Sequence, residues 1–102
     1  MVPAVERAIR ILLMLSAGDR GMTLAEIASA TGWHKSSVHK ILMTLGHFGF
    51  LDRDEATRRY VLGIELVRCG RTVLNNLQIH QSAKSFLIEL ADYSGETANL
   101  AV

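Results

Sequence analysis

Cysteine occurs once in 102 residues, at Cys69, and proline once, at Pro3. A single thiol permits no internal disulfide, which suits the cytoplasm, where the protein is expected to act. Long apolar runs are missing too. The longest, Ile11–Leu15, falls far short of the roughly 20 residues that a membrane-spanning helix needs. No membrane partner is expected. The N-terminus lacks the basic segment, apolar run and cleavage site of a secretory signal. Metal signatures are absent. His34 and His39 are five positions apart, so they do not stack on one helix face, and Cys69 lies on a different element. Neither paired C-x-x-C nor H-E-x-x-H spacing occurs. There is no Gly-rich phosphate loop and no recognisable Ser-His-Asp set. No cofactor, no metal and no enzymatic activity are therefore expected. The last absence is local: no Asp or Glu occurs from Ala28 to Leu51.

That carboxylate-free window lies inside an uneven charge distribution. The net charge is only +1. Residues 1–33 hold three basic and three acidic side chains, and residues 34–71 hold seven basic against four acidic. Residues 72–102 hold Lys84 against Glu89, Asp92 and Glu96. The basic excess in the middle third is modest support for a surface that meets phosphate. Hydrophobic residues make up 49% of the chain, and the mean hydropathy is +0.21. For so short a chain that is high. Some apolar surface is expected to meet another chain or a part of the protein outside these residues.

The stretch Thr23–Phe48, TLAEIASATGWHKSSVHKILMTLGHF, organises the rest. Thr23 and Glu26 have the spacing of a capping box, in which each side chain accepts the other's backbone N–H. Leu24, Ile27 and Ala28 give one apolar face. Gly32 suits the end of that first helix and the sharp turn after it, because glycine tolerates positive φ. A second helix is expected from His34 or Lys35. At helical spacing Val38, Ile41, Leu42 and Leu45 form one apolar stripe. Ser36, Lys40, Met43 and His47 lie opposite, flanked by Ser37, His39 and Thr44. Any surface helix has a polar outer side. This one offers hydroxyls, imidazoles and one amine with no carboxylate, and the DNA major groove fits both the shape and the charge. A His39 near phosphate would have its charged form favoured. Trp33, in the turn, has two fates: packing under the second helix, or reaching a sugar-phosphate. Burial is the commoner one.

Before this pair, a helix is expected from about Val5 to Ala17, with Pro3 in or just before its first turn. Val5, Ala8, Ile9, Leu12 and Leu15 form its stripe. Ile11 and Met14 lie off that stripe, with Leu13 partway round. A helix apolar over so much of its circumference is usually buried on more than one side. A domain of ~60–70 residues cannot surround it, so its outward side is expected to pack on a partner subunit. After the pair, FLDRDEATRRYVL at residues 50–62 reads as a β-hairpin. Phe50, Leu51 and Arg53 enter one strand, Asp54–Arg58 turn, and Arg59–Leu62 return. A hairpin directly after a helix-turn-helix is a wing. Arg58 and Arg59 at its tip are candidates to grip phosphate or enter the minor groove. Charged hairpin tips are also ordinary.

Three runs, VERAIRILLMLS, TLAEIASATGWHKSSVHKILMTLGHFGFLDRD and RRYVLGIELVRCG, together resemble the N-terminal half of an IclR-type bacterial transcriptional regulator. The carriers are the opening V-E-R-A helix, the K-S-S-V-H-K helix, and the Y-x-L-G ending of Tyr60, Leu62 and Gly63. They span residues 4–70 in order. Trp33-His34 departs from the pattern, where leucine and proline are common. The resemblance implies a mainly α fold with a small β-hairpin, a winged helix-turn-helix over residues 1–62. A linker helix over 63–77 and the start of an α/β effector domain over 78–102 follow. It also implies a dimer, so a homodimer or higher homo-oligomer is expected on a palindromic double-stranded DNA operator, modulated by a small-molecule effector, often an organic or aromatic acid. The family's DNA contacts map onto Lys35, Ser36, Ser37, His39 and Lys40, and on the wing onto Arg58 and Arg59. Thr44, beside them at helical spacing, completes the candidate site.

The same resemblance accounts for the tail. Ile64–Leu77 reads as the linker helix, with Ile64, Val67, Val73, Leu74 and Leu77 apolar. Gln78–Tyr93 reads as another helix, and Thr97–Val102 as one strand. A lone strand leaves backbone groups unpaired, so residues 78–102 are expected to be poorly anchored or to pair with a second copy. The effector domain is expected to lie almost wholly outside this chain. The competing function is a winged-helix module that binds protein and not DNA. It predicts carboxylates or large apolar residues on the second helix's outer side, where only Met43 qualifies.

Overall fold

Pro3 opens the first helix of the computed structural model, which describes residues 1–77. The helix expected over 78–93 and the strand expected over 97–102 lie outside the described residues. The element order is α1 (Pro3–Ser16), β1 (Met22–Thr23), α2 (Leu24–Thr31), α3 (Lys35–His47), β2 (Leu51–Arg53), β3 (Arg59–Leu62) and α4 (Glu65–Leu77). The architecture is mainly helical, with a small antiparallel sheet: a winged helix-turn-helix.

Local chemistry sets the boundaries of α2 as expected. The Glu26 N–H donates to Thr23 Oγ1 at 3.1 Å, and the Thr23 N–H donates to Glu26 Oε1 at 3.0 Å. Gly32 ends the helix at φ 78°, and its N–H donates to the Ala28 carbonyl at 2.8 Å. A left-handed residue there is costly for anything but glycine.

The core is where three helices meet the wing. Ile11, Ile27, Val38 and Leu42 are fully buried, and Leu15, Ala28, Leu51 and Tyr60 nearly so. Each large apolar side chain sealed this way contributes about 1.5–3 kcal/mol. Leu51 and Tyr60 come from the hairpin and the other six from α1, α2 and α3, so helices and hairpin share one interior.

Two features differ from the sequence expectation. The inward side of α1 is centred on Ile11 and Leu15, whereas Val5 and Ile9 of the expected stripe are half exposed, as is Leu13. Apolar residues run round most of α1, so periodicity does not choose which of them the core takes. The second is β1. This two-residue strand was not expected, and it makes the sheet three-stranded in the order β1-β3-β2. Met22 pairs with Tyr60 and Thr23 with Arg59, while Leu51, Asp52 and Arg53 pair with Leu62, Val61 and Tyr60. The wing is thereby tied to the residue that caps α2.

Gly63 explains the last letter of the Y-x-L-G ending. It is buried, and its N–H donates to the Phe50 carbonyl at 2.8 Å. A Cβ there would lie 2.8 Å from the Phe50 carbonyl carbon and 2.9 Å from that of Gly49, closer still to the Gly49 oxygen. These are backbone atoms that cannot swing aside. Gly63→Ala is expected to destabilise the protein by about 1–3 kcal/mol, as overpacking does. A chemical denaturation curve checks it: an unchanged midpoint would mean that the chain leaves the wing along another path.

Met1–Val67 form one compact unit, and Arg68–Leu77 of α4 belong to a second. Helix α4 buries no residue, and Ile64, Val67, Val73 and Leu74 remain exposed.

Candidate nucleic-acid interface

Helix α3 divides its side chains cleanly. Val38 and Leu42 are fully buried, with Ile41 and Leu45 packed against the core beside them. Lys35, Ser36, His39, Lys40, Met43, Thr44 and His47 are exposed, and Ser37 is partly covered. The N-cap of the helix is His34, whose side chain makes no capping bond, and the first turn carries no acidic residue. A helix start is electropositive, because its first N–H groups lack intrahelical partners. Here that start adds to Lys35 rather than being neutralised by a carboxylate.

The candidate residues are not equivalent. Ser36 and His39 are exposed, whereas Lys40 and Thr44, also exposed, border a groove shared with α1. Thr44 also spends its hydroxyl proton on the Lys40 carbonyl, at 2.9 Å. The groove holds about 540 Å³ and is otherwise lined mainly by Ala4, Val5, Ile9, Phe48 and Phe50. Phe48 is 63% exposed, so this apolar surface reaches solvent beside the polar one.

At the wing tip, the Asp54 carboxylate accepts the Ala56 N–H at 2.9 Å, and the Arg58 N–H donates to the Asp54 carbonyl at 2.6 Å. Arg58 sits at φ 61°, the left-handed region, which non-glycine residues seldom adopt. Its side chain is exposed.

Arg59 goes elsewhere. It opens β3, as the sequence placed it, but its guanidinium donates to Glu26 Oε1 at 3.0 Å, to Glu26 Oε2 at 3.4 Å and to the Gly21 carbonyl at 3.1 Å. The sequence put the two arginines together at the tip; the fold separates them. Glu26 is held below the usual carboxylate range, chiefly by the Thr23 N–H, against an opposing desolvation, with the Arg59 charge and hydrogen bond lowering it further. Arg53, which sequence reasoning did not single out, stands on β2 with its guanidinium 5.7 Å from the Tyr60 ring centre. Arg53 and Tyr60 pair across the hairpin, and the register that brings them together depends on the turn as well as on strand alternation. Trp33 takes the packed alternative. It lies against the core, with the Arg7 guanidinium 4.9 Å from its ring centre.

Among the described residues no three His, Cys, Asp or Glu side chains come together as a metal site would require. None of the described helices is long and apolar enough to cross a membrane.

Comparison with known proteins agrees with this geometry. The description "IclR helix-turn-helix domain" matches residues 4–55. The chain belongs to the IclR family. It is 40% identical over 101 residues to the glycerol operon regulatory protein of Streptomyces coelicolor, a match covering 99% of this chain and 40% of that protein. It is 32% identical over 102 residues to the HTH-type transcriptional regulator XynR of Escherichia coli, covering all of this chain and 40% of the relative. An IclR transcriptional regulator from Alicyclobacillus acidocaldarius superposes with a TM-score of 0.74 at 32% identity, over 93% of this chain and 38% of that one. The chain thus spans about two fifths of the length of these IclR relatives. It carries the winged helix-turn-helix of a family of DNA-binding transcriptional regulators.

Proposed function

We propose that this chain is the operator-binding part of a dimeric cytoplasmic regulator and not an enzyme. Helix α3 enters the major groove, presenting Lys35, Ser36, Ser37, His39 and Lys40, with Thr44 at the edge. Arg58 reaches the flanking phosphates from the wing. The observation that carries this reading is the outer side of α3: exposed, basic, free of carboxylate, and starting at an uncapped helix end.

Dimerisation is supported by the exposed Val5 and Ile9 of α1 beside Phe48, an apolar surface that water covers poorly. Two copies related by a two-fold axis would read a palindrome whose half-sites lie about one helical turn apart, or a multiple of it. A small-molecule effector, held by a domain outside these residues through the α4 linker, would modulate operator binding in the intact protein.

A mobility-shift titration at two salt concentrations tests the core claim, because phosphate contacts release counterions and affinity must fall steeply as salt rises. Lys40→Ala is expected to weaken binding by about 1–3 kcal/mol with an unchanged thermal midpoint. A large stability loss in that variant would mean the side chain is structural. Retention of no DNA of any sequence at low salt would favour the protein-binding module instead.

A further inference from the structure

We propose that Arg59 is a positioning residue that clamps the wing onto the first helix of the helix-turn-helix through Glu26 and the Gly21 carbonyl, and not a phosphate contact. The inference rests on the DNA-binding reading and assigns the two wing arginines different work.

The geometry carries it. Three donor–acceptor contacts at 3.0–3.4 Å hold one guanidinium. Its side chain is 29% exposed, less than the carboxylate it meets. A guanidinium forked over a carboxylate is fixed in direction as well as distance. Glu26 is already committed by the α2 cap, its Oε1 accepting the Thr23 N–H, so it cannot follow a moving arginine. Thr23 in turn faces Arg59 across the β1–β3 ladder. Wing strand, cap residue and α2 therefore share one cluster. Helix α2 packs on α3 through Ile27, Ala28, Val38 and Leu42, so the clamp fixes where the wing stands relative to the DNA-facing helix.

Glu26→Gln separates the two roles by sign. Glutamine at this position still completes a capping box, so the helix start survives while the ion pair is removed. Under the clamp, removing a negative charge from a DNA-binding domain nonetheless weakens binding, by about threefold, the size of a good exposed ion pair. Arg59→Ala weakens it similarly, and the double variant is no weaker than either single one. The slope of log affinity against log salt stays unchanged in all three. If Arg59 instead gripped phosphate, Arg59→Ala would flatten that slope by about 0.9 for each phosphate it had neutralised. Freeing the arginine with Glu26→Gln would then tighten binding. Either result overturns the proposal.

A second measurement needs no DNA. Amide hydrogen exchange at Met22 and Tyr60, which pair across β1 and β3, should quicken about threefold in Glu26→Gln as the local opening becomes easier. Unchanged exchange there overturns the clamp. A chain that bound no DNA would defeat the proposed function, while the exchange rates would still decide the role of Arg59.

Discussion

Ser36→Glu is expected to abolish DNA binding while making the domain slightly more stable. Ser36 is the second residue of α3, exposed, in a first turn that has no acidic side chain and no side-chain cap. A glutamate there would meet the electropositive start of the helix and stabilise it by about 0.3–1 kcal/mol. The same charge would face the phosphates that the proposed function puts against this turn. Bringing like charges together at an interface costs about several kcal/mol, so operator affinity should fall by about 100-fold or more. Thermal melting and fluorescence anisotropy with a labelled operator duplex read the two effects separately. They have opposite signs, so a general loss of structure cannot imitate the result. Affinity within about a factor of two of the parent protein, well inside one decade or 1.4 kcal/mol, would mean that the start of α3 does not approach DNA.

The features legible in the sequence were those whose causes are close together along the chain. Thr23 and Glu26 are three residues apart, and the capping box between them forms as their spacing predicts. Gly32 ends α2 in the left-handed conformation that only its missing Cβ makes cheap. The stripe of α3 faces inward at Val38 and Leu42, and the polar or basic Ser36, Lys40 and His47 on the opposite side stay exposed. What stayed hidden depends on distant partners. Strand β1 is two residues long, with no pattern of its own, and exists because β3 pairs with it. Helix α1 offered several apolar faces, and only the arrival of α3 and the wing selects Ile11. Arg59 looked like the twin of Arg58, its neighbour, until the fold brought Glu26, 33 positions away, within reach. The requirement for Gly63 is likewise nonlocal, since the backbone it touches belongs to Gly49 and Phe50.

Adjacent residues 42 and 43 give the sharpest test of how α3 is oriented. Leu42 is fully buried where α1, α2 and the wing converge, while Met43 is 58% exposed on the opposite side. Leu42→Ala would leave a cavity that close-packed neighbours cannot fill, at a cost of about 2–5 kcal/mol. Natural domains are stable by only about 5–15 kcal/mol, and a unit this small sits toward the lower end, because it buries a smaller share of its surface. The melting midpoint should therefore drop by about 10 °C or more, from the 4–8 °C per kcal/mol of a small domain. Met43→Ala removes a similar volume from the same helix. It should change stability by no more than about 0.5 kcal/mol, because that side chain's neighbour is water and alanine is at least as good a helix former. Its effect should appear in DNA binding instead, since it borders Ser36 and His39 on the outer side. The pair shares helix position, propensity and side-chain size, so the contrast isolates direction alone. Equal stability losses at 42 and 43 would mean that α3 is covered on both sides, leaving no surface to enter a groove.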